Sequence, residues 1–208
     1  MTLTARPWDV TAEMVSDARR QGLDEERVEA AIGVIAMFNY FTRVADATGI
    51  EFDYPTELPA FVPDLGQVTA PRPGRPGPGD GTAGDSRHLA PGGLRTAWES
   101  WRAYVLGAGE PVSQGDRRLL AAVAAEEATD WAGTQALGGV RSCGEREDQL
   151  IGFARKLSRT PWQMVAADLE RLRSLGYSEP AILHMISVIA HQNADSRLAL
   201  GLRAGAES

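Results

Sequence analysis

The chain has 208 residues, with 21 Lys+Arg against 28 Asp+Glu and a net charge of -7, which disfavours nucleic acid as a partner because the nearest basic pairs (Arg72 with Arg75, Arg117 with Arg118) are sparse. The single Cys143 excludes an intrachain disulfide framework, and the N-terminus carries no signal-like apolar stretch. The longest apolar run, Ala30 to Tyr40, is interrupted by Gly33 and Asn39 and falls short of the roughly 18 to 20 residues a bilayer span needs, so a cytoplasmic protein without a membrane partner is expected.

In chain order, Gly22 stops a first helix and Asp24 caps a second that runs from about Glu25 to Ala47. Residues 55–93 hold eight of the 12 prolines, including the run Pro71 to Gly79, and read as a linker without a helix of its own. Leu94, Trp98, Trp101 and Val105 recur at helical spacing in a helix closed by Gly107. Ser113, with Asp116 three residues on, opens a long helix expected to continue through Glu127 and Trp131 to about Leu137. A loop over 138–144 precedes a helix from Glu145 to Arg159. Val165 to Leu175 forms another, stopped by Gly176, and Ser178 caps the last one ahead of Glu179 and Pro180. No stretch alternates at period two, and the predicted fold class is all-α.

A shift of 154 residues lays Pro7-Trp8 on Pro161-Trp162, Gly22 on Gly176, Val34-Ile35-Ala36 on Val188-Ile189-Ala190, Asn39 on Asn193 and Arg43 on Arg197, with 13 identities over residues 7–45 and 161–199. An internal helix-pair repeat is therefore expected. The implied organisation is a first half-repeat (1–54), the linker (55–93) and a fuller helical unit (94–208) within one compact domain.

The stretches Phe153 to Pro161, Asp168 to Gly176 and Ala36 to Gly49 resemble the alkyl hydroperoxidase D (AhpD) and carboxymuconolactone decarboxylase superfamily, in particular its two-repeat, peroxidase-related members. The resemblance covers roughly residues 6 to 50 and 94 to 202. It implies an all-helical bundle that forms homo-oligomers, often with thiol peroxidase chemistry. That family's redox members carry an acid one helix ahead of a C-x-x-C, and a His four residues after the second Cys. With Trp131 on the motif's aromatic, Thr129 and Ala132 stand at the thiol positions, Ala136 at the His and Arg117 at the acid. A hydroxyl and a methyl cannot form the thiolate and disulfide of a dithiol cycle.

Acid–base chemistry without cofactor or metal is the remaining expectation, on a small-molecule substrate and of decarboxylase, lyase or isomerase type. Glu127 shares a stripe with Leu120, Val123, Ala124 and Trp131, so it should point inward, paired with Arg43 or Arg197 or held in a pocket at a raised pKa. Asp130 lies three residues on, and His191 is the better placed histidine. His184 and His191, two turns and about 10 Å apart, suit no single metal. Asn39 and Asn193, each followed at i+4 by Arg43 or Arg197, either brace each other structurally or line the pocket with Trp131. The other readings are a peroxidase-related oxidoreductase, either using Cys143 or inactive, and a non-catalytic oligomeric binding protein.

Overall fold

Helix bounds follow the stop and cap residues closely. The computed structural model describes residues 2–50, 72–74 and 93–207, and these hold helices and no strand. Helices α1 (Thr2–Ala5), α2 (Ala12–Arg20) and α3 (Glu25–Thr48) precede the linker, which lies outside the described residues except for 72–74 and Gly93. After it come α4 (Gly93–Leu106), α5 (Gln114–Glu127), α6 (Trp131–Ala136), α7 (Glu145–Arg159), α8 (Ala166–Ser174) and α9 (Glu179–Ala206), with 3-10 turns at Pro7–Asp9 and Pro161–Gln163. Asp24, Ser113 and Ser178 cap α3, α5 and α9 by accepting the amides of Arg27, Asp116 and Ala181. The prolines at the two 3-10 turns set the backbone angle for each turn's first residue.

The long helix expected from Ser113 to Leu137 is in fact two. Ala128 closes α5, Thr129 takes a left-handed φ of 57°, and Asp130 starts α6 by accepting the Gly133 amide at 2.9 Å. Gly133 is required there, because a Cβ would collide with the Asp130 carboxylate. The capping bond at Asp130 outcompetes helix continuation, which would have left the same side chain without it.

Both sides of the 154-residue shift carry elements with matching starts: Pro7 with Pro161, Ala12 with Ala166 and Glu25 with Glu179. The helix stops match as well, with Gly22 at φ 96° and Gly176 at φ 90°. The four residues of α1 map onto 156–159, the last turn of α7.

Helix α9 is the hub. It is buried over most of its length and packs along α3 on one side and against α5, α7 and α4 on the others. One apolar cluster joins the end of α3 to α4, α5, α7, α8 and α9, and a second joins α1, α2 and α3 to Trp98 and the C-terminal half of α9; Trp101 touches both. The close approach of α3 depends on Gly201, where a Cβ would come within 2.8 Å of Ile32 Cγ2.

Crossed hydrogen bonds fix the α3/α9 register. Asn39 Nδ2 donates to Ile35 O and Asn193 Nδ2 to Ile189 O, each one turn back on its own helix. Each amide oxygen then accepts from the arginine one turn ahead, Arg43 Nη1 at 2.9 Å and Arg197 Nη1 at 3.1 Å. The second guanidinium nitrogens cross over: Arg43 Nη2 reaches Ser158 O and Arg197 Nη2 reaches Thr4 O, both at 2.8 Å. Thr4 and Ser158 are themselves partners under the 154-residue shift, and their hydroxyls accept from Asn39 and Asn193 respectively.

Arg197→Lys should destabilise the fold by roughly 2 to 4 kcal/mol, because a lysine replaces the planar fork with a point donor and strands buried carbonyls. Urea denaturation checks this, and a lysine variant as stable as the wild type would show that charge alone suffices.

Candidate functional site

Glu127, the last residue of α5, is buried as its stripe position predicts. Its partners are other than expected: Arg72 Nη1 lies 3.0 Å from Oε1, Arg155 Nε 3.5 Å from Oε1 and Arg159 Nε 3.5 Å from Oε2. Arg43 and Arg197 are already committed to the carbonyls that lock α3 to α9, so neither is available. Arg72 also donates to Glu126 O at 2.8 Å, tying its segment to the C-terminal, electronegative end of α5. Burial raises the Glu127 pKa above the usual carboxylate value, and Arg72, Arg159 and Arg155 offset this only in part. None of the three contacts has hydrogen-bond geometry.

Asp130 looks the other way, into α9. Its Oδ2 accepts the Ser196 hydroxyl at 2.8 Å, and Ser196 accepts Gln192 Nε2 at 3.1 Å. Burial raises the Asp130 pKa, countered by the Gly133 amide and Ser196, while the charge of Asp195 raises it further. Trp131, next in sequence, is half-buried.

One helical step round α9, His191 is wholly buried between the indoles of α4, with ring centroids 4.7 Å from Trp101 and 5.5 Å from Trp98. Neither imidazole nitrogen has a hydrogen-bond partner, and Gln192 Oε1 is likewise without one. Burial pushes the His191 pKa down to about 4 despite the pull of Asp195, so the ring is neutral at physiological pH. Asp195 anchors this side: Oδ1 accepts Trp98 Nε1 at 2.9 Å, and Oδ2 lies 3.7 Å from Arg102 Nη1.

The three expected acid–base residues therefore belong to three different contact sets. Glu127 faces α7 and Arg72, Asp130 faces Ser196, and His191 faces α4. Asp130 and His191 are connected through α9, where His191, Gln192, Asp195 and Ser196 form one buried polar patch. The amides of Asn39 and Asn193 are engaged in the α3/α9 lock together with Arg43 and Arg197.

Sequence reasoning passed over Trp98, Asp195 and Ser196 as site residues. The signal lay in the sequence itself: under the 154-residue shift His191, Gln192, Asp195 and Ser196 fall on Met37, Phe38, Phe41 and Thr42. Three of the four positions change from apolar to polar although their neighbours Ile189, Ala190 and Asn193 are unchanged from Ile35, Ala36 and Asn39.

Elsewhere, His184 Nε2 sits 3.3 Å from Val105 O with its ring against Tyr104, and His88 lies outside the described residues. Among the described residues no group of three or more His, Cys, Asp or Glu is placed to hold a metal ion. Cys143 is exposed in the turn before α7. Compared with models of protein families, with curated proteins and with solved structures, the chain matches none.

Two outcomes are expected. Because the net shift of Glu127 is upward, its ionised form is disfavoured in the fold, and its arginine partners, 25 to 52 % exposed, can return to water. Glu127→Gln should therefore melt at or above the wild type at pH 7, by up to ~1 kcal/mol, and the gap should close below the ordinary carboxylate pKa. A clear loss of stability would show that the arginine contacts outweigh burial. His191 has the opposite sign: as pH falls from about 6.5 to about 4, the unfolded chain takes up a proton that the folded chain refuses. Stability should fall across that window by ~3 kcal/mol from this group alone, a slope that His191→Phe removes in paired melting curves.

Proposed function

We propose that this is an AhpD/carboxymuconolactone decarboxylase-like protein that binds a small molecule at the polar patch of α9 and performs acid–base chemistry there with its own side chains, without a redox dithiol. Residues 2–48 and 156–202 act in this reading as two copies of one unit. What carries the reading is the contrast between the copies. The helix and its lock form equally well with Met37, Phe38 and Phe41 as with His191, Gln192 and Asp195. Asp195 answers Trp98 Nε1 and Arg102, whereas the His191 imidazole and the Gln192 oxygen answer nothing, and burying them costs stability.

An orphan imidazole and, at the next position of α9, an orphan amide oxygen are rare in a folded core and suit a ligand that supplies the missing donor and acceptor. His191, neutral, orients that ligand by hydrogen bonding. Asp130, with its pKa raised and Ser196 bonded to it, is the group suited to hold and release a proton. A decarboxylation, elimination or isomerisation next to a carbonyl needs those two capacities. Glu127 stays outside the centre, held by its arginines. The lone Cys143 has no second thiol in the chain with which to close a disulfide cycle.

The test is a thermal-shift and turnover screen with small β-keto acids and lactone carboxylic acids on wild type and on His191→Phe. A ligand present at 100 times its Kd should stabilise the wild type by about 2.7 kcal/mol. His191→Phe should keep or raise the unliganded melting temperature, since an apolar ring replaces an unsatisfied one, and should lose the ligand shift. A ligand shift and turnover that survive in His191→Phe would refute the assignment of the site.

A further inference from the structure

The arginines around Glu127 carry more donors than that carboxylate uses. Arg72, Arg155 and Arg159 bring three guanidiniums to the C-terminal end of α5, against the two carboxylates of Glu126 and Glu127. The local balance is positive, in a chain whose net charge is -7. An ion pair that served stability alone would lay a guanidinium fork on the carboxylate with two parallel hydrogen bonds. Here Arg155 and Arg159 each approach Glu127 through Nε at 3.5 Å and Arg72 through Nη1, and both carboxylate oxygens remain without a hydrogen bond.

The unused donors can be named atom by atom. Arg72 Nη1 is taken by Glu126 O and Arg155 Nη2 by Glu126 Oε1 at 3.3 Å. Among the described residues, Arg72 Nε and Nη2, Arg155 Nη1 and both Nη atoms of Arg159 make no hydrogen bond. The three arginine side chains are half-exposed and open to solvent, with the Glu127 carboxyl buried beneath them. Because the approaching nitrogens all lie within 3.5 Å of one carboxylate, they stand no more than roughly 9 Å apart, a span that a single oxyanion bridges with hydrogen bonds on either side.

These open groups are all N–H donors, so the ligand is an acceptor and an anion. Guanidiniums arriving from two segments, Arg72 from one and Arg155 and Arg159 from α7, match a tetrahedral oxyanion with oxygens on every side better than a planar carboxylate with two. Glu127 adds a further condition. Arg72, Arg155, Arg159 and Glu126 are the charged groups around it, and beside a bound oxyanion its ionised form would set acceptor against acceptor. Carrying a proton it becomes a donor, and burial already favours that form.

We propose that Arg72, Arg155 and Arg159 bind an oxyanion of the size of phosphate or sulfate, with the protonated Glu127 carboxyl as a further donor. The site lies against α5 and α7 and is independent of any chemistry at the polar patch of α9.

Isothermal titration calorimetry of the full chain with sodium sulfate at fixed ionic strength tests this. The wild type should bind one sulfate, more tightly as pH is lowered from about 8 to about 4.5, because the proton on Glu127 removes a negative charge and supplies a donor. Glu127→Gln, a permanent neutral donor, should bind at the upper pH at least as tightly as the wild type does at the lower, with no slope between them. Arg159→Ala should weaken binding at least ~10-fold, and so should replacing sulfate by acetate. Arg20→Ala, which removes an exposed arginine paired with Asp17 on α2, should change nothing. Should Arg159→Ala fail to fold, Arg155→Ala should show the same loss. Absence of sulfate binding, an affinity indifferent to these arginines, acetate bound as tightly as sulfate, or weaker binding by Glu127→Gln than by the wild type would each overturn the proposal. His191→Phe should bind sulfate as the wild type does, which separates failure here from failure of the site assignment on α9.

Discussion

The rest of the structure depends on the crossed arginines. Arg43 and Arg197 are buried, each binds a backbone carbonyl in the opposite copy, and each is braced by the asparagine one turn behind it on its own helix. Burial lowers the Arg43 pKa to about 10 and takes that of Arg197 well below its usual value, with the neighbouring Arg43 adding to the drop. Two cations so close in a core are unfavourable unless every donor has a good acceptor, and carbonyls fixed at the ends of α1 and α7 are such acceptors. Arg43 thereby ties α3 to α7 and Arg197 ties α9 to α1, so the α3/α9 register is held from both sides. Only in that register does α9 turn Gln192 and Ser196 toward Asp130, and His191 and Asp195 toward α4.

The two stretches related by the 154-residue shift share this lock and differ around it. The asparagine and arginine that hold the lock are common to both copies, as are the isoleucine and alanine beside them. Of the positions that differ, Phe38 and Phe41 are exposed on α3 and Met37 is half-buried, whereas Gln192, Asp195 and His191 are buried and polar on α9.

Legibility in the sequence follows the range of the interaction. Caps and stops act within four residues, and Gly22 with Asp24, Gly176 with Ser178, and Ser113 alone place their helix ends to within a residue or two of those observed. The break between α5 and α6 is also local, yet it was missed because Thr129 is not a residue type that signals a left-handed turn; the readable clue was Asp130 with Gly133 three residues on. The inward stripe revealed the burial of Glu127 but not its partners, since Arg72 comes from a Pro/Gly-rich stretch more than 50 residues away in sequence, where no periodicity operates. His191 could be seen to lie inside. That Trp98 and Trp101 would enclose it depends on where α4 crosses α9, and no local pattern specifies that.

The energetic balance of the bundle gives the polar patch its meaning. Helix α5 presents a continuous buried run from Leu120 to Ala125, and α7 and α9 meet it with Leu150, Leu157, Met185 and Ile189, all of them fully buried. Such a core provides enough hydrophobic stabilisation to carry a few groups that contribute nothing to it. Natural proteins place those exceptions where something other than folding requires them. In this chain the exceptions are neighbours along α9: the His191 imidazole, with neither nitrogen bonded, faces α4, and the Gln192 amide oxygen, without a donor, belongs to the side chain that reaches Ser196 and, through it, Asp130. Had the polarity served only to pin α9 in register, the Asn193–Arg197 pair would already do so, and it does with nearly all its groups bonded. The unsatisfied imidazole and amide oxygen add nothing to the hydrogen bonding of the core, and it is on them that the proposed ligand site rests.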